Sequence, residues 1–217
     1  MRELLPLFVH LKGRRVVLVG GGPVAAAKLR QLQAAGAEVL VVAPELHDDI
    51  VRSGAEMARR PFAPADLDHA WLVVAAATPE VNREVALAAE ERRLFVNAVD
   101  DPPNATAFLS GVVRRDGVTL AISTSGDAPG LTGLLREALD GVLPEDLGTW
   151  MTVAREERAK WRRDGVPMEE RRPLLLEALN RIYGLTTEHT ETTEQHKSDL
   201  SSVNSVNSVV IIGAKES

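Results

Sequence analysis

A run of small residues at positions 20–25, with the sequence GGGPVA, is the feature best suited to binding chemistry. It fits the pattern G-x-G-x-x-G/A, directly after an aliphatic segment at residues 16–19 and at the start of a predicted helix. In this context Gly20 allows a tight turn, Gly22 lets the backbone approach a pyrophosphate, and Ala25 lets the helix pack closely on the strand. The free amides at the helix N-terminus attract negative charge. The run therefore predicts a dinucleotide site that includes Gly20, Gly22, Pro23 and Val24.

The end of the second predicted strand, at residues 39–43, indicates which dinucleotide to expect. An Asp or Glu usually ends this strand and holds the ribose hydroxyls, but here Pro44 follows the strand and the nearest acid is Glu45. Either the Glu45 carboxylate or the backbone around Pro44 holds the ribose. No Lys or Arg stands beside Glu45 to pair with a 2′-phosphate, so NAD is favoured over NADP. Thr78, after the strand at residues 71–76, is also expected to face the cofactor, because ligands bind at the carboxyl ends of strands.

Asp100 is the most suggestive titratable residue. It follows the predicted strand at residues 94–99, at the same sheet edge as the glycine turn. A carboxylate there could take a proton from a substrate while a hydride leaves to nicotinamide, or it could steer a metal ion. Spacing alone favours a simpler role, as a turn residue before Pro102. Asp101 is an adjacent competitor that spacing does not exclude.

A second polar group consists of Ser123, Thr124 and Ser125, which precede a predicted helix from Pro129. Their hydroxyls and amides could hold a carboxylate or phosphate of a substrate at the helix start. Capping of that helix explains the same residues equally well. The five histidines show no metal-ligand spacing, so no metal site is expected.

The elements that must position these residues follow from the hydrophobic pattern. Residues 1–100 alternate strand-like and helix-like segments, which is typical of a parallel α/β sheet. Aromatic residues make up only 4% of the chain, and aliphatic runs suit parallel strands that are buried on both faces. Five strands are predicted, at residues 16–19, 39–43, 56–60, 71–76 and 94–99. Helices are predicted to start at Pro23, ending at Gly36, and at Pro79, where Thr78 is the expected N-cap.

The pattern changes after residue 100. Residues 106–113 and 118–123 are predicted to be two strands of a hairpin, joined across the sequence RRDG. Three helices are predicted beyond Pro129, at residues 129–143, 145–163 and 168–183. The predicted fold class is therefore α/β: a Rossmann-type parallel sheet domain, then a β-hairpin segment, then a small all-helical domain. Residues 185–207 are rich in Thr, Ser, Glu and Asn, and we expect them to be a disordered linker.

Composition excludes several function classes. The net charge of −6 argues against a nucleic-acid partner, which would require a basic surface. The absence of cysteine excludes disulfides, thiolate metal sites and a cysteine nucleophile, so redox chemistry requires a bound cofactor. No signal peptide and no apolar stretch of about 18 residues is present, so a cytoplasmic protein without a membrane partner is expected.

Four segments, taken in order, resemble the precorrin-2 dehydrogenase and sirohydrochlorin ferrochelatase family, which forms the N-terminal part of siroheme synthases. The resemblance covers residues 5–183, and its specificity comes from the order and spacing of these segments together. They are LPLF at residues 5–8, VGGGPVA at 19–25 with Lys28 after it, NAVD at 97–100, and AISTSG at 121–126 with Pro129 and LLR at 134–136 after it.

The resemblance implies NAD-dependent oxidation of precorrin-2 to sirohydrochlorin and, in bifunctional members, insertion of Fe²⁺ into that product. It assigns the catalytic carboxylate to Asp100 and NAD contacts to Pro23, Val24, Pro44 and Glu45. Family members are homodimers in which the helical region interlocks with its partner, so a homodimer is expected. The implied domains are an NAD-binding domain at residues 1–113, a dimerisation segment at 114–147, a helical domain at 148–184 and a disordered tail at 185–217.

Two departures from the family pattern stand out. Phe108 is followed by LSGV at residues 109–112, where the family has Phe-x-x-Pro-Ala. The family's substrate contacts at this point are therefore not carried over to this chain, whereas the expected fold is. Residues 209–213 are similar to the first strand of the methyltransferase domain of longer siroheme synthases. Because the sequence ends at Ser217, methylation is not expected.

A regulatory module that binds NAD without chemistry is the alternative, similar to the ligand-sensing domains of ion transporters. Such modules keep the acid at the end of the second strand and need no hairpin with helices. The Pro44 ending and the segment at residues 123–129 therefore weigh against it.

Overall fold

The computed structural model describes residues 4–109 and 111–184. The predicted tail at residues 185–217 lies outside the described residues. The chain divides into two compact units, which are described separately. Of the described residues, the sheet unit comprises 4–109 with Ser123–Thr132, and the helical unit comprises Gly111–Ile122 with 133–184.

The sheet unit is built on five parallel strands in the order β3-β2-β1-β4-β5. This order places the first strand at the centre, with later strands added on both sides, as in doubly wound α/β folds. The predicted parallel sheet is confirmed. Its strands are β1 (Arg15–Val19), β2 (Glu38–Val42), β3 (Glu56–Ala58), β4 (Leu72–Ala75) and β5 (Phe95–Ala98).

Aliphatic side chains bury both faces of this sheet. Along β1, Val17 and Val19 pack in one buried cluster while Val16 and Leu18 pack in another, because successive side chains of a strand point to opposite faces. All four are at most 2% exposed. A strand buried on both faces reads as an unbroken aliphatic run, which is why the sequence signal was clear.

Two helices that matter for the site begin at prolines, as predicted. Helix α1 (Pro23–Ala34) follows the glycine run, and α3 (Pro79–Glu91) follows β4, with the short helix α2 (Asp48–Val51) between them. Thr78 occupies the N-cap position of α3, but its hydroxyl makes no capping hydrogen bond. A side chain from inside the helix stabilises this turn instead: Asn82 Oδ1 accepts a hydrogen bond from the Ala77 amide at 3.1 Å.

The hairpin exists and its second strand lies where predicted, but the predicted bounds of its first strand, residues 106–113, were wrong. Strands β6 (Gly111–Arg115) and β7 (Val118–Ile122) pair antiparallel around a two-residue turn at Asp116 and Gly117, whose φ angles of 48° and 87° match a hairpin turn. The residues predicted to begin the first strand lie elsewhere. The amides of Thr106 and Ala107 both donate to Val96 O, at 2.9 and 2.8 Å, so this segment is held against β5.

The helical unit contains α5 (Leu147–Asp164), α6 (Met168–Ile182) and most of α4 (Pro129–Val142), whose first residues belong to the sheet unit. Arg115 of the hairpin donates to Leu143 O at 2.6 Å and to both the backbone and the carboxylate of Asp140, and so caps the end of α4. The Tyr183 hydroxyl donates to Asp146 at 2.7 Å and ties α6 to the start of α5. Among the described helices, none combines the length and apolar character needed to cross a bilayer.

A buried carboxylate stabilises the loop after β3. Asp66 is 6% exposed and accepts hydrogen bonds from the Arg60 guanidinium, at 2.8 and 2.5 Å, and from the Ala63 amide at 2.9 Å. The Arg60 hydrogen bond lowers the pKa of Asp66 more than its burial raises it. The loop is therefore held most strongly when this carboxyl is ionised.

We expect Asp66→Asn to lower the free energy of unfolding at pH 7 by about 1–3 kcal/mol, because the charged acceptor of three hydrogen bonds is lost. A carboxyl whose pKa is lower in the folded chain stabilises fully above its unfolded value of about 3.9 and loses that effect as pH falls further. Urea unfolding should therefore separate the variant from wild type at pH 7 and bring them together near pH 2.

Asp68→Asn is the matched control, since Asp68 is exposed and its ion pair, at 3.1 Å, is with Arg92 on the protein surface. It should cost less than about 1 kcal/mol. Equal losses in the two variants, or a difference that persists at low pH, would contradict the role given to Asp66.

Candidate active site

The glycine run forms a turn in which two residues have no room for a side chain. Gly20 has φ +130°, and a Cβ there would overlap Ala76 O at the end of β4. A Cβ on Gly21 would overlap Glu45 O in the loop after β2. The turn therefore lies directly between the ends of the two strands that flank β1.

Gly22 is different, because a Cβ built on it meets no atom within 4 Å. The space in front of Gly22 is open, and the N-terminus of α1 borders it. The first backbone bond of the helix runs from the Ala26 amide to Gly22 O at 3.0 Å. Within the described part of the chain, the amides of Gly22, Val24 and Ala25 donate to no acceptor. Open space beside free amides at a helix N-terminus fits a pyrophosphate.

The residues predicted to hold the ribose lie beside this turn. Pro44 and Glu45 are exposed in the loop after β2, and the His47 amide donates to Gly21 O at 2.7 Å, which ties that loop to the glycine turn. One more polar residue, distant from Glu45 in the sequence, follows a strand at this edge. Arg59 follows β3, which pairs with β2, so a basic residue follows the strand next to the one that Pro44 and Glu45 follow.

Thr78 lies after β4, close to the same turn. The Ala76 amide donates to Val19 O at 2.8 Å and continues the pairing of β4 with β1 beyond the strand ends. Thr78 is exposed two residues later, so its side chain is accessible from the sheet edge where Gly20 packs on Ala76.

Asp100 lies at this same edge of the sheet. The Val99 amide donates to Ala75 O at 2.8 Å, so Val99 follows β5 just as Ala76 follows β4, and Asp100 is the next residue. Asp100 is exposed and has φ +56°, a left-handed conformation that Asp and Asn tolerate better than most residues. The strand thus ends in a sharp turn that presents a carboxylate.

The neighbouring carboxylate, that of Asp101, already accepts a hydrogen bond within the chain. Asp101 accepts a hydrogen bond from Asn104 Nδ2 at 2.8 Å and begins the 3₁₀ turn Pro102–Asn104. Both residues thus lie in turns, Asp100 through its left-handed backbone and Asp101 through its hydrogen bond with Asn104. This geometry favours Asp100 as the carboxylate available to a substrate.

The hydroxyls at residues 123–125 make local hydrogen bonds. Ser123 Oγ accepts from the Ser125 amide at 3.1 Å, and Thr124 Oγ1 lies 3.0 Å from Thr132 Oγ1 and accepts from the Ala128 amide at 3.3 Å. Thr124 therefore stabilises the start of α4. The turn also lies beside the Asp100 loop, because a Cβ on Gly126 would meet Pro102 and Phe108. Substrate binding by Ser123, Thr124 and Ser125 stays a prediction.

Asn82, Asn97 and Lys28 also lie in this region, and no chemical reason in the sequence assigned them to the site. Asn82 holds the turn after β4, and Asn97 Nδ2 donates to Ala107 O at 3.0 Å, so each fixes a loop at the site. Lys28 donates to Leu109 O at 3.1 Å. Asn97 and Lys28 contact residues that are distant in the sequence, and Asn82 is buried. Local sequence patterns reveal neither feature. Within residues 4–109 and 111–184, no group of three or more His, Asp or Glu could hold a metal ion.

Comparison with known proteins agrees with this geometry. A family model described as "Putative NAD(P)-binding" matches residues 7–111. Siroheme synthase of Photorhabdus laumondii is 39% identical over 183 residues, which are 82% of this chain and 39% of that protein. Siroheme synthase 1 of Cronobacter sakazakii is 44% identical over 157 residues, which are 70% of this chain and 33% of that protein.

The chain thus spans about two fifths of the length of the siroheme synthases that it matches. A solved structure named SirC, precorrin-2 dehydrogenase, superposes with a TM-score of 0.64 at 25% identity, covering 88% of this chain and 98% of that one. The parallel sheet, the hairpin and the helical region are shared with that structure. From the glycine turn, the fold and these relatives together, the chain belongs to the family of the precorrin-2 dehydrogenase region of siroheme synthases.

Proposed function

We propose that this chain catalyses the NAD-dependent oxidation of precorrin-2 to sirohydrochlorin. The observation that carries the proposal is the placement of the exposed Asp100 carboxylate at the same sheet edge as the open glycine turn. The relatives named siroheme synthase and precorrin-2 dehydrogenase support it. NAD, when bound, supplies the hydride acceptor.

The chain's own residues have two tasks in this reaction. The free amides of Gly22, Val24 and Ala25 bind the pyrophosphate, and the loop at Pro44 and Glu45 binds the adenosine ribose. The oxidation removes one hydride and one proton from the tetrapyrrole, and the Asp100 carboxylate accepts that proton. Binding and proton transfer are thus assigned to different loops of one sheet edge.

Asp100→Asn is expected to lower kcat for NADH formation by about 10²-fold or more, because an amide cannot accept the proton. Asn suits the left-handed backbone at this position, so the fold should be kept. The measurement is absorbance at 340 nm with precorrin-2 and NAD under anaerobic conditions, with NAD affinity followed by calorimetry. NAD affinity should change little.

Asp101→Asn is the control for charge and position, since its carboxylate is bound to Asn104. It should retain most of the activity. Loss of activity in Asp101→Asn with retention in Asp100→Asn would exchange the two roles. Absence of NADH formation by the wild-type chain with NAD bound would favour the regulatory module.

Gly22→Val is expected to weaken NAD binding by at least about tenfold while leaving thermal stability near wild type. The new side chain meets no protein atom, and the backbone at Gly22 has φ −83° and ψ −174°, an extended conformation that valine favours. The side chain would fill the space assigned to the pyrophosphate. Calorimetric titration with NAD measures the effect.

Gln31→Val, on an exposed position of the same helix, is the matched control and should bind NAD as wild type does. Wild-type affinity in Gly22→Val would show that the pyrophosphate lies elsewhere. A large fall in its melting temperature would show that the space in front of Gly22 is not open in the folded protein.

We also propose that the same site inserts Fe²⁺ into sirohydrochlorin. The support is the exposed Asp100 carboxylate, a hard oxygen ligand that could deliver the substrate ion, and the relatives' name siroheme synthase. Supplying sirohydrochlorin and Co²⁺ or Fe²⁺ without NAD separates this activity from the oxidation. Failure to form the metallated product would leave only the dehydrogenase.

The proposed homodimer has a physical basis in α4. Five of its apolar side chains are between 37% and 66% exposed, more than a helix in water ordinarily leaves uncovered. A second copy of the chain would bury them, as the resemblance implies, with residues 114–147 as the dimerisation segment between an NAD-binding domain (1–113) and a helical domain (148–184). These side chains belong to Leu131, Leu134, Leu135, Leu139 and Val142.

Leu134→Glu should shift the chain from dimer to monomer, because it places a charge at the most exposed of these positions, which is 66% exposed. Sedimentation velocity measures the change. Glu137→Gln, on the same helix, is the control and should remain dimeric. A monomeric wild type, or a dimeric Leu134→Glu, would contradict the assignment of α4. We further propose that the protein acts in the cytoplasm, where its small-molecule substrates would be available.

A further inference from the structure

Arg59 lies directly after β3, beside the end of β2. The Ala43 amide, the first beyond β2, donates to Ala58 O at 3.2 Å and continues the pairing of the two strands past their ends. Ala58 O also accepts from the Arg60 amide at 2.9 Å, which closes a three-residue γ-turn centred on Arg59. The backbone of Arg59 is therefore fixed at the carboxyl edge of the sheet, on the strand next to the one that leads into Pro44.

The two adjacent arginines at this point have different surroundings. Both carboxylate oxygens of Asp66 accept from the Arg60 guanidinium, at 2.8 and 2.5 Å, and Arg60 also donates to Pro61 O at 3.0 Å. The donors of Arg60 thus hold the loop after β3. Arg59 is exposed, and among the residues that the structure describes its guanidinium has no hydrogen-bond or ion-pair partner. Arg59 is therefore the arginine available to a ligand at this edge.

The distance across the sheet lets Arg59 reach the loop that is assigned to the adenosine ribose. Neighbouring strands lie about 4.8 Å apart, which is less than the length of an extended arginine side chain. A guanidinium carried by Arg59 can therefore reach a group held beside Pro44. NADP differs from NAD in a phosphate on the 2′-oxygen of this ribose, and in Rossmann folds a nearby arginine accommodates that phosphate. The planar fork of a guanidinium also matches phosphate oxygens.

Glu45 carries the opposing charge at the same place. From the sequence alone, NAD is favoured because no Lys or Arg is adjacent to Glu45 in the chain. The pairing of β2 with β3 removes that ground, since it brings Arg59 to the end of the neighbouring strand. A carboxylate suits ribose hydroxyls and repels a phosphate, whereas a guanidinium attracts the phosphate. Glu45 and Arg59 therefore favour different nucleotides.

We propose that Arg59 is a specificity-determining residue at the adenosine end of the site: its guanidinium binds a 2′-phosphate, so that the chain accepts NADP as well as NAD. This inference rests on the proposed function, because it takes the adenosine ribose to lie at the loop of Pro44 and Glu45. It goes beyond that function in giving a second dinucleotide as a cofactor. It also separates the roles of two neighbouring arginines, since Arg60 holds the loop and Arg59 meets the ligand.

Arg59→Gln should weaken NADP binding by about tenfold or more, because the variant loses a charged donor to the 2′-phosphate. Its affinity for NAD, which lacks that phosphate, should change by less than about threefold. Wild type should bind NADP within about tenfold of its affinity for NAD. Arg59→Lys keeps the charge without the planar fork and should lose less than Arg59→Gln. Calorimetric titration with each nucleotide measures these affinities.

Arg14→Gln is the matched control. Arg14 is an exposed arginine that precedes β1, at the amino edge of the same sheet, where its guanidinium lies over the Trp71 ring. The variant makes the same change of charge and should bind both nucleotides as wild type does. A fall in NADP affinity as large as that of Arg59→Gln would overturn the proposal, because the effect would then be one of general charge.

The ratio of the two affinities separates specificity from general binding. Glu45→Gln should raise the affinity for NADP relative to NAD, because a repelling carboxylate is lost. The same change of ratio, measured with adenosine 2′,5′-bisphosphate and AMP, would confine the effect to the adenosine end. A wild-type chain that binds NAD but not NADP would refute the inference. Equal weakening of both nucleotides in Arg59→Gln would refute it as well.

Failure of this inference and failure of the proposed function have different signatures. If Gly22→Val weakens NAD binding while Arg59→Gln leaves NADP binding unchanged, the cofactor site stands and only the role of Arg59 is wrong. If Gly22→Val binds NAD as wild type does, the assigned site itself is wrong. Absent oxidation of precorrin-2 with the Arg59 effect intact would contradict the proposed reaction and leave the specificity role in place.

Discussion

The close approach of the backbone at Gly20 and Gly21 to the ends of the neighbouring strands is the constraint on which the site depends. Neither residue has space for a Cβ, since one lies against Ala76 O and the other against Glu45 O. This contact brings the loops after β2 and β4 to the start of α1 and leaves the amides of that helix open to solvent. Because the sheet is parallel and β1 lies between β2 and β4, both flanking strands end beside this turn. The same arrangement places Asp100, one strand further along, at the same edge.

The sheet explains why the chemistry can be divided among loops. Its core is aliphatic on both faces, and its strands are fixed by burial rather than by any residue of the site. The loops at the carboxyl ends are then free to carry polar groups, each held by a few specific hydrogen bonds. Asn82 holds the turn after β4, while Thr106, Asn97 and Lys28 hold the loop after β5. In α/β folds, binding residues commonly lie on loops at the carboxyl ends of the strands, and the rigid sheet positions those loops.

Much of this could be predicted from the sequence because the strongest signals are local. The strands β1, β2 and β4 are aliphatic runs, helices α1, α3 and α4 start at prolines, and the glycine run indicates a tight backbone turn. The errors fell where distant contacts decide the outcome. Residues 106–109 have the composition of a strand, but their amides bind Val96 O, so β6 begins only at Gly111. The positions of Lys28 and Arg59 relative to the site likewise depend on contacts between elements that are far apart in the chain. The local hydrogen bond from Asn104 to Asp101 supports Asp100 as the acting carboxylate, which stays a prediction.

The position of a bound dinucleotide decides whether this sheet edge is the active site. A crystal structure of the chain with NAD would test this most directly. We expect the pyrophosphate within hydrogen-bond distance of the amides of Gly22 and Val24, the adenosine ribose beside Pro44 and Glu45, and the nicotinamide ring on the side of the sheet edge where Asp100 lies. A pyrophosphate bound away from the glycine turn, or a nicotinamide ring directed away from Asp100, would contradict it.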